Sequence, residues 1–429
     1  MYKLSTYLFF FFAWTCTYAQ GYILVPMDEK QHDHLKSYGA AYWILNQKEE
    51  AYWLLNYRGG SFAFKYSNAA KLECISRGVS YEHIPSSAFD KIIADITAPD
   101  RNMEAMKLEI APKIAVYSPT KNMRGEQIEA SDDAVTMVLS YAQIPYEIIY
   151  DEEVLGNKLH EYDWLHLHHE DFTGQFGKLY GSSSKKPWYR EHVKMMNDFA
   201  QKLNYKKVSE LKLAVVKKIQ EFVSGGGFMF AMCSASDTYD LALAADGVDI
   251  CATMFDGDPI DSDAQSKLNY DNTFAFKNFK LVTDPTKYEY STIDNSVYTS
   301  PKRDISEEID YFLLFDFSAK WDPIPTMLTQ CHTQTIRGFM GQTTAYRKNQ
   351  IKSNVKILGE TKALKEAKYL HGTFGKGFWS FYGGHDPEDY RHYIEEPPTD
   401  LSLHPNSPGY RLILNNILFP AAKKKHRPT

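Results

Sequence analysis

Cysteine is scarce in this chain: five in 429 residues, and Cys16 lies in the N-terminal apolar stretch. The other four, Cys74, Cys233, Cys251 and Cys331, are spaced too widely to outline a disulfide framework. A chain this long does not need staples to fold, so free thiols and an oxidised pairing both stay open. A basic excess is also missing. Lys and Arg number 48 against 54 Asp and Glu, a formal net charge of -6, which leaves no electrostatic footprint for nucleic acid. The one basic run, Lys423-Lys424-Lys425-His426-Arg427, reads as a solvated tail over 420–429. After the N-terminus no segment has the roughly 20 apolar residues that a membrane span takes. Internal repeats and low-complexity stretches are absent. What is abundant is core-forming material: 44% hydrophobic and 14% aromatic residues, enough for one large or two moderate domains.

The N-terminus has three recognisable parts. Lys3 gives a positive start, residues 8–14 a short apolar run, and Thr17-Tyr18-Ala19 a small-residue cleavage site before Gln20. Ala13-Trp14-Thr15 ahead of Cys16 does not match a lipidation box. Residues 1–19 are therefore expected to be a signal peptide, and the mature product to be periplasmic or secreted.

Two parts follow. Over 20–109, strands are expected at 22–25, 52–55 and 61–64, the last two around the Arg58-Gly59-Gly60 turn. Leu35, Tyr38, Tyr42 and Leu45 have helical spacing, and short helices at 69–75 and 88–96 complete a small α/β unit. From 113 to 419, strands at 114–117, 146–150, 164–168, 228–232, 355–359 and 377–382 alternate with helices at 132–141, 151–155, 191–203, 211–222, 237–245 and 410–419. That rhythm predicts a mostly parallel sheet covered on both faces. The stretch 256–347 is aromatic and loop-rich, and reads as an insertion near the ligand-binding edge.

Ligands of open parallel sheets bind beyond the carboxyl ends of the strands, and three such ends carry chemistry. Cys233 follows the apolar strand 228–232 and precedes a helix, with Ala231, Ser234 and Ala235 around it. Small neighbours suit a nucleophile elbow, and a helix N-terminus stabilises a thiolate. The plainer alternative is a buried cysteine acting as a small hydrophobe. Gly383-Gly384-His385-Asp386-Pro387-Glu388 follows the strand at 377–382. His385 there could serve as base to Cys233, with Asp386 or Glu388 orienting the ring; the alternative is a structural histidine in a tight turn. In His166-Leu167-His168-His169-Glu170-Asp171, Trp164, His166 and His168 share one strand face. His168, His169 and Glu170 are the candidate zinc ligands, and a hydrogen-bonded polar wall including Asp171 is the favoured reading. Asp256-Gly257-Asp258-Pro259-Ile260-Asp261-Ser262-Asp263 could attract calcium, but its spacing is not that of an EF-hand, which favours a solvated acidic loop.

The second part resembles the class I glutamine amidotransferase-like fold, a flavodoxin-like architecture that includes the ThuA-like branch. The match covers roughly 113–247 and 355–419. It rests on Glu221-Phe222-Val223-Ser224-Gly225-Gly226-Gly227-Phe228 leading to Cys233, and on Gly375-Lys376-Gly377 leading to Gly384-His385-Asp386. The amidotransferase elbow reads Gly-x-Cys-x-Gly, whereas here it is Ala231-Met232-Cys233-Ser234-Ala235. The acid after the histidine lies one position farther along, at Glu388. The whole chain is also similar to an exported bacterial family commonly labelled "asparagine synthetase B". That likeness rests on Leu54-Leu55-Asn56-Tyr57-Arg58-Gly59-Gly60-Ser61, on residues 164–174 and on His404-Pro405-Asn406-Ser407-Pro408-Gly409-Tyr410. Glutamine-dependent asparagine synthetases resemble one another in an N-terminal catalytic cysteine and a Ser-Gly-Gly-x-Asp-Ser loop. Cleavage here would expose Gln20, and Ser224-Gly225-Gly226-Gly227-Phe228 lacks the Asp and Ser, so ATP-dependent asparagine synthesis is not expected.

The leading expectation is an exported protein whose pocket is built by Cys233, Ser234, Gly384, His385 and the 168–171 loop. As an enzyme it would be a Cys-His hydrolase of an amide-like bond. The rivals are a non-catalytic module for a small molecule or glycan, using aromatics such as Trp188, Tyr189 and Trp321, and a metal-dependent hydrolase.

Overall fold

The computed structural model describes residues 21–119, 133–296, 308–339, 341–390 and 397–422. The expected signal peptide and the basic residues 423–429 lie outside these.

The first part is a five-stranded antiparallel sheet of β1 (Gly21–Val25), β2 (Ala51–Leu55), β3 (Ser61–Lys65), β4 (Glu82–Pro85) and β5 (Glu104–Leu108), in the order β4-β1-β3-β2-β5. Alternation along each strand divides its side chains between two faces. Ile23, Val25, Trp53 and Phe62 pack with Leu35 and Tyr38 of the His34–Asn46 helix. Leu24, Leu54 and Ala63 pack with Phe89 and Ile96 of the Ser86–Thr97 helix. Asp33 starts the first helix by accepting from the Lys36 amide at 2.8 Å. β4 and β5 are charged, weakly alternating strands that the pattern at 20–109 does not reveal.

The second sheet joins β6 (Ile114–Tyr117), β7 (Glu147–Ile149), β8 (Trp164–Leu167), β9 (Phe228–Met232), β10 (Tyr311–Leu314), β11 (Thr335–Arg337), β12 (Tyr346–Arg347), β13 (Lys356–Thr361), β14 (Glu366–Phe374) and β15 (Gly377–Tyr382). Its order is β11-β10-β13-β14-β15-β9-β8-β6-β7, with β12 pairing β14. The run β15-β9-β8-β6-β7 is parallel, and every other pairing is antiparallel. The sheet is thus mixed rather than mostly parallel. The segment expected as a parallel strand at 355–359 is the antiparallel β13. The cause is local: β14 and β15 are joined by Gly375-Lys376 alone, with Gly375 at φ 58°. A two-residue link makes a hairpin, while parallel neighbours need a crossover of about a dozen residues. The 256–347 stretch supplies β10, β11 and β12, so it extends the sheet as well as forming loops.

Helices cover both faces. Ile114, Val116, Trp164 and Phe230 face the Ala134–Tyr141 and Pro408–Leu418 helices. Ala115, Leu165, Met229 and Phe381 face the Val208–Gly225 and Ser234–Ala244 helices. The His34–Asn46 helix packs on Pro408–Leu418 and so joins the two parts. Fully buried Arg411 bolts this seam, donating to the carbonyls of Gly59 and Met27 and to the Tyr38 hydroxyl. Cys74, Cys233, Cys251 and Cys331 are all free thiols. Among the described residues no helix is long and apolar enough to cross a membrane.

Candidate functional site

The carboxyl ends of β8, β9 and β15 lie side by side, because β9 is hydrogen-bonded to both neighbours in parallel register. This brings together Cys233, which follows β9, His385, which follows β15, and the 168–171 segment, which follows β8.

Cys233 sits at φ 52°, ψ -138°, between the last residue of β9 and the helix that starts at Ser234. A non-glycine residue held in such a conformation costs roughly 1–3 kcal/mol. The surroundings hold it there. Its amide donates to the Tyr382 carbonyl at 3.0 Å. Its carbonyl accepts from the Ser236 hydroxyl at 2.6 Å, and that hydroxyl is in turn held by Tyr346 at 2.8 Å. The Gln342 amide donates to Sγ at 3.1 Å. The thiol is 1% exposed. Burial pushes it up to about 11, against the pull of the Thr343, Gln342 and Ser234 amides. At neutral pH it is a protonated thiol in a nest of N–H groups.

Gly341 lies against both this thiol and the imidazole. A methyl group on Gly341 would lie 2.7 Å from Cys233 Sγ, 2.9 Å from His385 Cδ2 and 3.3 Å from Gly384 Cα. Sulfur and ring therefore flank one point that only glycine leaves open. Gly384, at φ 83°, donates to the Thr343 carbonyl at 2.7 Å and so fixes the turn that carries His385 against the Cys233 loop.

Behind His385 lie two more imidazoles. The rings of His168 and His385 meet edge to face with centroids 5.1 Å apart, and His169 lies 4.0 Å from His168 and 5.5 Å from His385. His168 is buried and His169 exposed. His168 Nδ1 faces Asp133 Oδ2 at 3.5 Å, while His166 Nε2 approaches Asp133 Oδ1 at 3.4 Å. Asp133 caps the Ala134–Tyr141 helix, accepting from Val135 N at 2.7 Å and Thr136 N at 3.2 Å. Burial works to raise its carboxyl, but His168 and His166 outweigh this and hold it far below the usual range. Burial drives His168 well below its ordinary value, and the attraction of Asp133 only partly opposes this.

The carboxylates after His385 have other partners. Asp386 accepts from Glu388 N, Asp389 N and the Tyr410 hydroxyl. Glu388 accepts from Ser407 Oγ, the cap of the last helix, and faces His404 at 3.4 Å. Both tie the turn to the C-terminal helix. Asp171 builds its own loop, accepting from Thr173 N, Thr173 Oγ1 and Gly177 N. Ser234 is buried, and its carbonyl takes the Thr238 hydroxyl. Burial lifts the Glu170 carboxyl to about 7, opposed by Lys212, whose ammonium lies 4.0 Å away.

The insertion contributes what the sequence pattern does not reveal: Gly341, Gln342 and Thr343 beside the sulfur, and the buried carboxyls Asp294 and Glu289, near Asp237 of the Ser234–Ala244 helix. Asp237 accepts from Thr343 Oγ1 at 3.0 Å, and Asp294 from the amides of Thr344 and Ala345 at 3.2 and 3.1 Å. Burial pushes Asp237 well up and Glu289 up to about 10. Asp133 was the one with a readable signal, an acidic cap before an apolar helix. Its meeting with His168 depends on strand order.

Among the described residues, the ligand atoms that converge as a metal would need belong to Asp249, Cys251 and Asp256, within 4.8 Å of one another. Lys207 already supplies a cation there, with Nζ 2.6 Å from Asp249, 2.9 Å from Asp256 and 2.5 Å from Asp258. Asp261 of the same acidic loop pairs with Lys267 at 3.3 Å. A cavity of about 220 Å³ opens beside Lys207, and one of about 490 Å³ lies near Gly225–Gly227. The second is at the amino ends of the strands, and neither is lined by Cys233 or His385. The strand-end cluster remains the stronger candidate because its polar groups converge where open sheets bind ligands.

No family model and no curated protein matches the chain. Among solved structures it is similar to two cytoplasmic proteins of Salmonella typhimurium. One has 8% identity and a TM-score of 0.37, over 73% of this chain and 100% of that one. The other has 12% identity and a TM-score of 0.36, over 72% and 99%. A GH42 beta-galactosidase from G. stearothermophilus is matched at 12% identity and a TM-score of 0.28, over 64% of this chain and 28% of that one. Likenesses this distant assign no activity.

Proposed function

We propose that the protein is an exported, amidotransferase-like hydrolase of an amide-like bond, with Cys233 as nucleophile and His385 as its base, and not an ATP-dependent asparagine synthetase. The observation that carries this is the backbone of Cys233: a non-glycine residue at φ 52°, ψ -138° in a strand-to-helix turn, the strained posture that lifts a nucleophile above a sheet. The parallel strands run β7-β6-β8-β9-β15, in chain order 2-1-3-4-5, which supports the flavodoxin-like reading.

The thiol is protonated at neutral pH, so it needs a base, and His385 is the imidazole beside it. In this mechanism His385 takes the thiol proton as sulfur bonds to the carbonyl carbon. The oxyanion meets the Ser234 amide, which follows the nucleophile at the helix start. The C–N bond breaks as His385 returns the proton to nitrogen. Water then cleaves the thioester, giving a carboxylic acid and the free thiol.

The test is native labelling with iodoacetamide read by peptide mass, together with ammonia release from a panel of primary amides. Cys233 should label faster at neutral pH than Cys74, Cys251 and Cys331, and Cys233→Ala should abolish ammonia release. A Cys233 that stays unlabelled, with no amide turned over, overturns the proposal. The 1% exposure of Cys233 favours a second reading, a non-covalent module for a small molecule or glycan. That reading predicts ligand affinity unchanged in Cys233→Ala.

A further inference from the structure

Asp386 and Glu388 are engaged with the C-terminal helix, and other carboxyls border the site. Asp237, Glu170 and Asp133 are among them in the described residues. Asp237 is buried, and burial pushes its carboxyl well up, which works against a charge there. Glu170 looks toward Lys212. Asp133 alone combines full burial, a charge retained against desolvation, and imidazoles on both sides.

We propose that Asp133 and His168 are the positioning pair of this site: Asp133 holds His168 through Nδ1, and His168 carries the influence of that buried charge to the face of His385. The inference rests on Cys233 and His385 being the reacting pair. Three observations support it. His168 Nδ1 faces Asp133 Oδ2 at 3.5 Å, so the charge of the carboxylate favours a proton on Nδ1. His168 Nε2 is buried and has no hydrogen-bond partner among the described residues. A ring nitrogen left so is costly unless something uses it. Finally, the His168 and His385 rings meet edge to face at 5.1 Å, so the His168 ring is in contact range of the imidazole that must take up the thiol proton.

The chemistry follows the logic of a nucleophile–imidazole–acid triad with one ring added. When the Cys233 proton moves to His385, a positive charge appears beside His168. The Asp133 carboxylate stabilises that charge in a site shielded from water, where such interactions are strong. His168 keeps the geometry and stays neutral. The other titratable groups facing His168 are His166 on its own strand, His169 and His385, and Asp133 is the carboxylate among the described residues that pulls against the effect of burial.

Asp133→Asn is the informative variant, because asparagine caps a helix as well as aspartate does, which preserves the Ala134–Tyr141 helix while removing the charge. Two readouts are taken on the full mature chain. In ¹⁵N NMR of the imidazoles, His168 should be the Nδ1–H tautomer, and Asp133→Asn should change its tautomer ratio. In the pH profile of Cys233 alkylation, Asp133→Asn should move the midpoint up by about one unit and slow labelling at pH 7 about tenfold. His168→Gln should do the same, while Asp386→Asn leaves the midpoint in place. An unchanged profile in Asp133→Asn with an intact fold overturns the proposal, as does an Nε2–H tautomer for His168. So does stoichiometric zinc retained by the wild type and lost in His168→Gln, which would make Nε2 a metal ligand. If Cys233 never labels in the wild type, the hydrolase reading fails, and the NMR result alone still decides whether Asp133 holds His168.

Discussion

Gly341→Ala tests the geometry of the site most directly. The added methyl would lie 2.7 Å from Cys233 Sγ and 2.9 Å from His385 Cδ2, closer than real contacts allow. Sulfur has little freedom to yield, since the backbone of Cys233 is held by Tyr382, Ser236 and the start of a helix. Overpacking a filled site costs roughly 1–3 kcal/mol. Alanine at the φ of +146° seen here adds roughly 1–3 kcal/mol of backbone strain. A loss of about 3 kcal/mol is therefore expected, measured as a lower urea midpoint at unchanged m-value. His385 should be the group displaced, so Cys233 labelling at neutral pH should fall at least tenfold. Gly257→Ala is the control: that glycine has φ +97° with nothing within 4 Å of the added methyl, so it reports strain without a clash. If Gly341→Ala is as stable as Gly257→Ala and labels at the wild-type rate, sulfur and imidazole do not share that space and the site is wrongly drawn.

Cys233→Gly should be more stable than Cys233→Ala by about 1 kcal/mol, because glycine relaxes the positive-φ backbone; equal unfolding midpoints would deny the strain. Glu170 keeps its proton in the folded state up to about pH 7, while the unfolded chain releases it near 4.5. The folded state thus binds the extra proton, and stability should fall as pH rises between those values. Glu170→Gln should flatten that slope, an effect on the order of 3 kcal/mol at most; parallel pH-stability curves for the two proteins would contradict it. Protein from its native host should begin at or near Gln20 on N-terminal sequencing, and an intact Met1 would refute export. Mature protein given aspartate, glutamine, ATP and magnesium should form no asparagine by amino-acid analysis, and stoichiometric asparagine would reverse that expectation.

The strands bearing the site were readable because they are continuous apolar runs with sharp ends. Phe228–Met232 and Gly377–Tyr382 stand where the sequence puts them, and alternation at Trp164 and His166 fixed their common face. β14 was not readable: in Glu-Ala-Lys-Tyr-Leu-His-Gly-Thr-Phe the buried residues include Glu366, Lys368 and His371. Their burial depends on partners remote in sequence, such as the Lys368–Asp310 pair at 3.0 Å. Asp386 and Glu388 looked like the natural partners of His385 because they are its neighbours in sequence. A tight turn sends the side chains of adjacent residues in different directions, and these two meet Tyr410 and Ser407 instead.

The sequence alone determined that a thiol and an imidazole each close a strand, because the apolar run, the small residues and the glycines are local signals and local physics acts on them. Tertiary structure decided what those groups face. Strand order set β9 between β8 and β15, so residues 166–168, 233 and 385 share one edge. The insertion folded back to set Gly341 against both sulfur and ring. A helix cap, Asp133, became the buried charge beside His168. Each of these depends on which distant segments pack together, a matter of burial and pairing summed over the whole chain that no short stretch of residues encodes.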